Sequence, residues 1–112
     1  MSYILSDIIE ESKDLEQVYK SDLKFGDKVI LETINSVYSI KVLNNHQYIV
    51  SGGWFDKNKL SSVLITIRGC TWGGSIIKTD IIAACGLHVE FGNKVVTSKI
   101  KKIIHIRSFL QN

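Results

Sequence analysis

The sequence predicts an all-β domain: a small antiparallel barrel of the SH3, OB or Sm kind, or a strongly curled sheet, with one α-helix in front. Three observations lead there. From Phe25 onward, apolar and β-branched residues recur with period two in short runs. Glycine and asparagine turns separate those runs, and only residues 4–20 carry a helical period. At 112 residues the chain has the length of one domain, so residues 1–112 read as one unit: helix 4–20 and a β core over 25–107.

The helix comes first. Ile4, Leu5, Ile8, Ile9, Leu15, Val18 and Tyr19 fall largely on one stripe, with acids between them. Ser6-Asp7 or Ser2 is placed to cap its start, and early acids suit the positive end of the helix dipole. Phe25-Gly26-Asp27 is a turn signal, and Lys28 to Ile34 reads as the first strand. Val37 to Leu43 alternates cleanly, with Tyr38, Ile40 and Val42 on one side. Asn44-Asn45 tolerates left-handed backbone and predicts a tight hairpin into Gln47–Val50, closed by Ser51-Gly52-Gly53. Residues 54–61 read as a polar loop. Further strands follow over 62–68, 76–84, 87–91 and 95–106, with a hairpin turn at Gly92-Asn93. So many short strands create sheet edges, which either barrel closure or pairing across a symmetric oligomer would remove.

Composition bounds the function classes. A hydrophobic fraction of 45% with 22% charged residues is that of a globular chain and argues against disorder. The N-terminus is acidic where a signal peptide needs a basic region, and the apolar runs are too short to span a bilayer. The expected location is therefore the cytoplasm of a bacterial cell, with no membrane partner. Cys70 and Cys85 form neither a disulfide framework nor a metal spacing, and the reduced pair is the plainer reading. The net charge of +3 is uneven: residues 1–20 carry −3, and no acid follows Glu90. Such asymmetry suits an anionic partner or an acidic N-terminus packed beside a basic strand.

Three places carry candidate function. Gly69-Cys70-Thr71-Trp72-Gly73-Gly74-Ser75 is the most unusual stretch, and Thr71, Trp72, Gly73, Gly74 and Ser75 are candidates for holding a small anion. It lacks the lysine-serine ending of a phosphate-binding loop, so a glycine-enabled bulge at a sheet corner is the competing reading. In the last strand, Lys99, Lys101, His105 and Arg107 share odd parity, which would set a cationic row about 7 Å apart for a nucleic-acid backbone. Lysines on a strand are equally an ordinary defence against edge aggregation. The helix stripe, through Ile4, Ile8, Leu15, Val18 and Tyr19, is a candidate interface with another protein or a second copy. Cys85 and His88 would point to opposite faces of a strand, which disfavours joint metal ligation; no metal, cofactor or catalytic cluster is expected.

A set of motifs adds a resemblance. Gly26-Asp27 with Glu32-Thr33, Asn35-Ser36-Val37-Tyr38 and Ser51-Gly52-Gly53 begin it. Gly69–Ser75, Gly86-Leu87-His88-Val89-Glu90 and Thr97-Ser98-Lys99-Ile100 continue it. Over residues 26–100 the chain resembles a family of uncharacterised small bacterial β-proteins. That resemblance implies a shared β fold with a glycine-bearing corner, and no activity, cofactor or site residue. The function expected is a non-enzymatic binding or assembly module, acting by protein–protein association or self-association through the helix or a sheet edge. The alternatives are nucleic-acid binding by the basic strand and anion binding at the glycine corner.

Overall fold

The computed structural model describes residues 12–72 and 76–108. Strands dominate it: β1 (Ser12–Leu15), β2 (Gln17–Tyr19), β3 (Lys28–Thr33), β4 (Val37–Val42) and β5 (Gln47–Gly52) form its first half. After helix α1 (Gly53–Lys57) come β6 (Val63–Thr71), β7 (Ile77–Lys78), β8 (Ile81–Ala84), β9 (His88–Phe91) and β10 (Ile100–Ile106). The main sheet runs β1-β10-β3-β4-β5-β6-β7, with β9 also on β6, while β2 and β8 pair separately. Every pairing is antiparallel. The result is a curled half-barrel, as the period-two pattern predicts.

The core follows from that alternation. In β3 and β4, Val29, Leu31, Thr33, Tyr38, Ile40 and Val42 turn inward and are buried. Tyr48 and Val50 of β5 join them, and Ile100 and Ile103 of β10 close the other side. At the centre, Phe55 and Phe91 meet edge to face at 5.0 Å, and Tyr38 lies 5.7 Å from Phe91. Such T-shaped pairs add about 0.5–1.5 kcal/mol beyond the area they bury.

The β4–β5 hairpin turns one residue later than the sequence suggests. Asn45 and His46, with φ of 60° and 58°, are its central residues. Gln47 N–H closes the turn on the Asn44 carbonyl at 3.3 Å. Two successive left-handed residues are what a tight turn between right-twisted strands requires.

Several expectations are corrected. The predicted helix over 4–20 is not seen where the chain is described: residues 12–15 and 17–19 are strands, ending in a 3-10 turn at Lys20–Asp22. Residues 1–11 lie outside the described residues. The reason lies in available partners: β1 finds β10, β2 finds β8, and tertiary pairing overrides a weak local preference. The polar loop at 54–61 opens with α1, because Phe55 has a buried site to fill. The strand expected over 76–84 is two, broken at Thr79-Asp80. The strand expected over 95–106 begins only at Ile100; before it, the Gly92–Lys94 turn returns the chain so that Thr97 N–H reaches the Val89 carbonyl.

Candidate functional site

β10 contains the feature that reorganises the site. Ile100 pairs with Thr33 and Lys102 with Glu32, so Lys101 is one residue too many and bulges out. A one-residue slip exchanges the faces of everything after it. Ile103 and His105 therefore turn inward beside Ile100, while Lys102, Ile104 and Ile106 face out.

That slip gives the sheet a second apolar face. Opposite Ile104 stands Ile30, and opposite Ile106 stands Lys28, which pairs with Lys41. Lys41 in turn faces Ile49, and Ile49 faces Leu64. Ile30, Ile49, Ile104 and Ile106 are half-buried, and Leu64 and Val37 are 57% and 53% exposed. A sheet with one solvated face normally carries polar side chains there. Here Ile104 and Ile30 stand on one side of β4 and Ile49 and Leu64 on the other, with Ser39 and Lys41 between them, and an excess of apolar side chains on an outer sheet face marks interaction sites. Lys28 and Lys41 also sit directly opposite each other, a like-charge pair that is unfavourable until an anion joins it.

On the inner side the same slip makes a clasp. His105 Nε2 lies 2.9 Å from Asp27 Oδ2, with both residues more than nine-tenths buried. The ionised carboxylate only accepts, so Nε2–H is the donor. Asp27 also accepts from Ser108 N–H at 2.9 Å and Lys24 N–H at 3.1 Å. Burial alone would raise the Asp27 pKa; the bonds from His105, Ser108 and Lys24 outweigh it and hold the carboxyl below its ordinary value. The clasp ties the turn before β3 to the end of β10. It gathers an acid and an imidazole, but the groups that meet it are backbone N–H donors, so its chemistry is that of a structural pin.

The sequence-predicted residues scatter. Lys99, Lys101 and Arg107 are exposed, but His105 is inward and clasped, so the four do not form the row expected of a backbone-tracking strand. At the glycine corner Thr71 is buried, Trp72 is 58% exposed under the Lys78 ammonium at 5.3 Å, and Gly73, Gly74 and Ser75 lie outside the described residues. Gly69 sits at a register shift in β6, and its missing Cβ would lie 2.2 Å from the Lys78 carbonyl oxygen. Close strand approach thus explains that glycine. Of the interface stripe, Ile4 and Ile8 lie outside the described residues, Leu15 is in β1, Val18 is core at 1% exposure, and Tyr19 is 38% exposed. Leu15, Val18 and Tyr19 lie on strands and do not share a helical stripe.

Sequence reasoning missed the clasp and the outer face. Ile30 between Lys28 and Glu32 was a visible signal, an apolar residue on the polar parity of its strand. Asp27 carried none beyond its turn-forming type. Among the described residues no group of three or more His, Cys, Asp or Glu could hold a metal ion, and no helix is long and apolar enough to cross a membrane. Comparisons of the chain with protein-family models, curated proteins and solved structures find no match.

Proposed function

We propose that the protein is a non-catalytic assembly module whose outer sheet face docks the N-terminal segment of a second copy of the chain. The observation that supports this reading is the apolar outer face of Ile30, Ile49, Leu64, Ile104 and Ile106 around Lys28 and Lys41. Residues 1–11 carry the complementary chemistry: Ile4, Leu5, Ile8 and Ile9 with Asp7, Glu10 and Glu11, and no lysine or arginine. Charge complementarity of this kind fixes partner and register more than it adds affinity.

Size sets the expected strength. Five strands about 4.8 Å apart and six residues long make a face of about 20 Å by 20 Å. That is about half the 800 Å² per partner of a standard interface, so association is weak and belongs in the low micromolar range. Cys70 and Cys85 remain thiols, which suits the reducing cytoplasm.

The test is the mass in solution by light scattering at about 100 μM protein, well above such a dissociation constant. The full chain is expected at dimer mass or higher. A chain lacking residues 1–11, the outward substitution Leu64→Glu, and the pair Lys28→Glu with Lys41→Glu are each expected at monomer mass. A full chain that is monomeric at this concentration would sink the proposal. So would an oligomer that all three variants leave intact.

A further inference from the structure

A second feature lies away from the outer face. The Lys24–Asp27 turn is tied to the end of β4, Gly26 N–H donating to the Val42 carbonyl and Val42 N–H to the Asp27 carbonyl, each at 2.8 Å. That tie sets Phe25 against the base of the β4–β5 hairpin, whose tip rises opposite the 3-10 turn at Lys20. Between them opens a cleft of about 310 Å³, lined among others by Lys20, Phe25, Asn44, Asn45, His46 and Tyr48.

Its formal charge is one-sided. Lys20 supplies an ammonium, His46 an imidazole and the two asparagines amides that both donate and accept, while among the described residues no carboxylate lines the cleft. The Lys20 ammonium donates to the Arg68 carbonyl at 3.3 Å and keeps further protons to give. Desolvation holds its pKa below the ordinary lysine value, against the opposing pull of Asp80 and Cys70. An anion in the cleft would compensate that desolvation. The remaining wall is apolar: Phe25, 50% exposed, lines it with Leu23, Val42, Leu43 and the buried Tyr48. Ligand pockets combine such an apolar body with a few converging polar groups, over about 300–1,000 Å³. This cleft is at the small end.

We propose that the cleft is a binding site for a small aromatic carboxylate, its anionic end held by Lys20 and the hairpin-tip donors and its ring against Phe25. None of the outer-face residues lines it, so it stands apart from the assembly reading.

The experiment is an amide NMR titration of the full chain with 3-phenylpropionate, beside the neutral 3-phenylpropanol and inorganic phosphate alone. Saturable shifts at Lys20, Phe25 and the Asn44–His46 tip are expected, with a dissociation constant of about 1 mM or tighter. The alcohol and phosphate should each bind at least about tenfold more weakly, because each lacks one half of the recognition. Lys20→Met should weaken binding about tenfold or more, and Phe25→Ala likewise. Phe25 is half exposed, so its variant keeps the test decisive if loss of the Lys20–Arg68 bond disturbs folding. No saturation at about 20 mM ligand, shifts centred elsewhere, or affinity unchanged in both variants would overturn the site. Equal binding of the alcohol would overturn the anionic half, and equal binding of phosphate the aromatic half.

Discussion

Replacing Asp27 by alanine tests the clasp most directly. The carboxylate accepts from His105 Nε2–H, Ser108 N–H and Lys24 N–H, so the substitution removes three hydrogen bonds to one charged group. Bonds to a charged group contribute about 1.5–3 kcal/mol each, and an orphaned buried donor costs about 1–3 kcal/mol more. Ser108 and Lys24 lie nearer water and regain part of their loss, whereas His105 stays buried with its donor unmet. The net cost is expected at about 3–4 kcal/mol. With an unfolding entropy of about 2.1 cal/mol/K per residue, about 3 kcal/mol lowers Tm by about 13 °C for a chain of this size. Urea unfolding followed by tryptophan fluorescence and thermal unfolding by circular dichroism both read it.

Asp27→Asn separates shape from charge. It should cost less, because one oxygen still accepts from Ser108, but its amide group meets the Lys24 donor with a donor of its own. The pH arm carries a definite sign. The folded pKa of Asp27 is lowered, so its contribution is fully present above the unfolded value of about 3.9 and is lost as pH falls through the folded pKa. Wild type should therefore lose stability below about pH 4 more steeply than Asp27→Asn. An alanine variant within about 0.5 kcal/mol of wild type, or identical acid limbs, would refute the clasp.

Two other predictions rest on backbone and burial. Gly52 has φ of +96°, and a Cβ there would lie 2.2 Å from the Val37 carbonyl oxygen, so Gly52→Ala should cost more than about 3 kcal/mol. Gly86, at φ of +86° with open space around it, is the control: Gly86→Ala should show only the left-handed strain of about 1–2 kcal/mol, and equal urea midpoints for the two would contradict the steric account. Cys70 is fully buried and burial pushes its thiol up to about 11, while Cys85 is exposed. At pH 8 an aromatic disulfide reagent should titrate Cys85 at least about a hundredfold faster than Cys70, and Cys85→Ser should abolish the fast phase.

The parts of this fold that the sequence displayed are those where local chemistry and tertiary structure agree. Tyr38, Ile40 and Val42 alternate in the chain and in the sheet, and the Asn-rich tip at 44–46 turns because those residues accept left-handed backbone. Where the two levels disagree, the pattern misled. Within 12–19 the helical stripe rested on Leu15, Val18 and Tyr19 alone, and three residues do not resist strand partners brought by β8 and β10. Phe55 looked like loop because its neighbours are polar; only the buried aromatic cluster, distant in sequence, explains a helical turn there.

The bulge at Lys101 shows why the candidate surfaces were harder to see than the fold. Uninterrupted alternation from Lys99 to Arg107 would put Ile100, Ile104 and Ile106 together inside and the cations together outside, a pattern simple enough to believe. The structure instead buries Ile100 and Ile103 completely and admits His105, because the Asp27 carboxylate at the end of the half-barrel accepts a hydrogen bond from its ring N–H. Nothing in β10 alone announces that partner, which lies 78 residues away. The cost is that Ile104 and Ile106 are left on the outer face beside Ile30. One extra residue thus ends the cationic row, builds the clasp, and creates the apolar surface on which the assembly proposal stands. A strand that needed only to be soluble would have placed polar residues at 104 and 106 once the slip had turned them outward. That it carries isoleucine at both is the physical reason to look for whatever covers them.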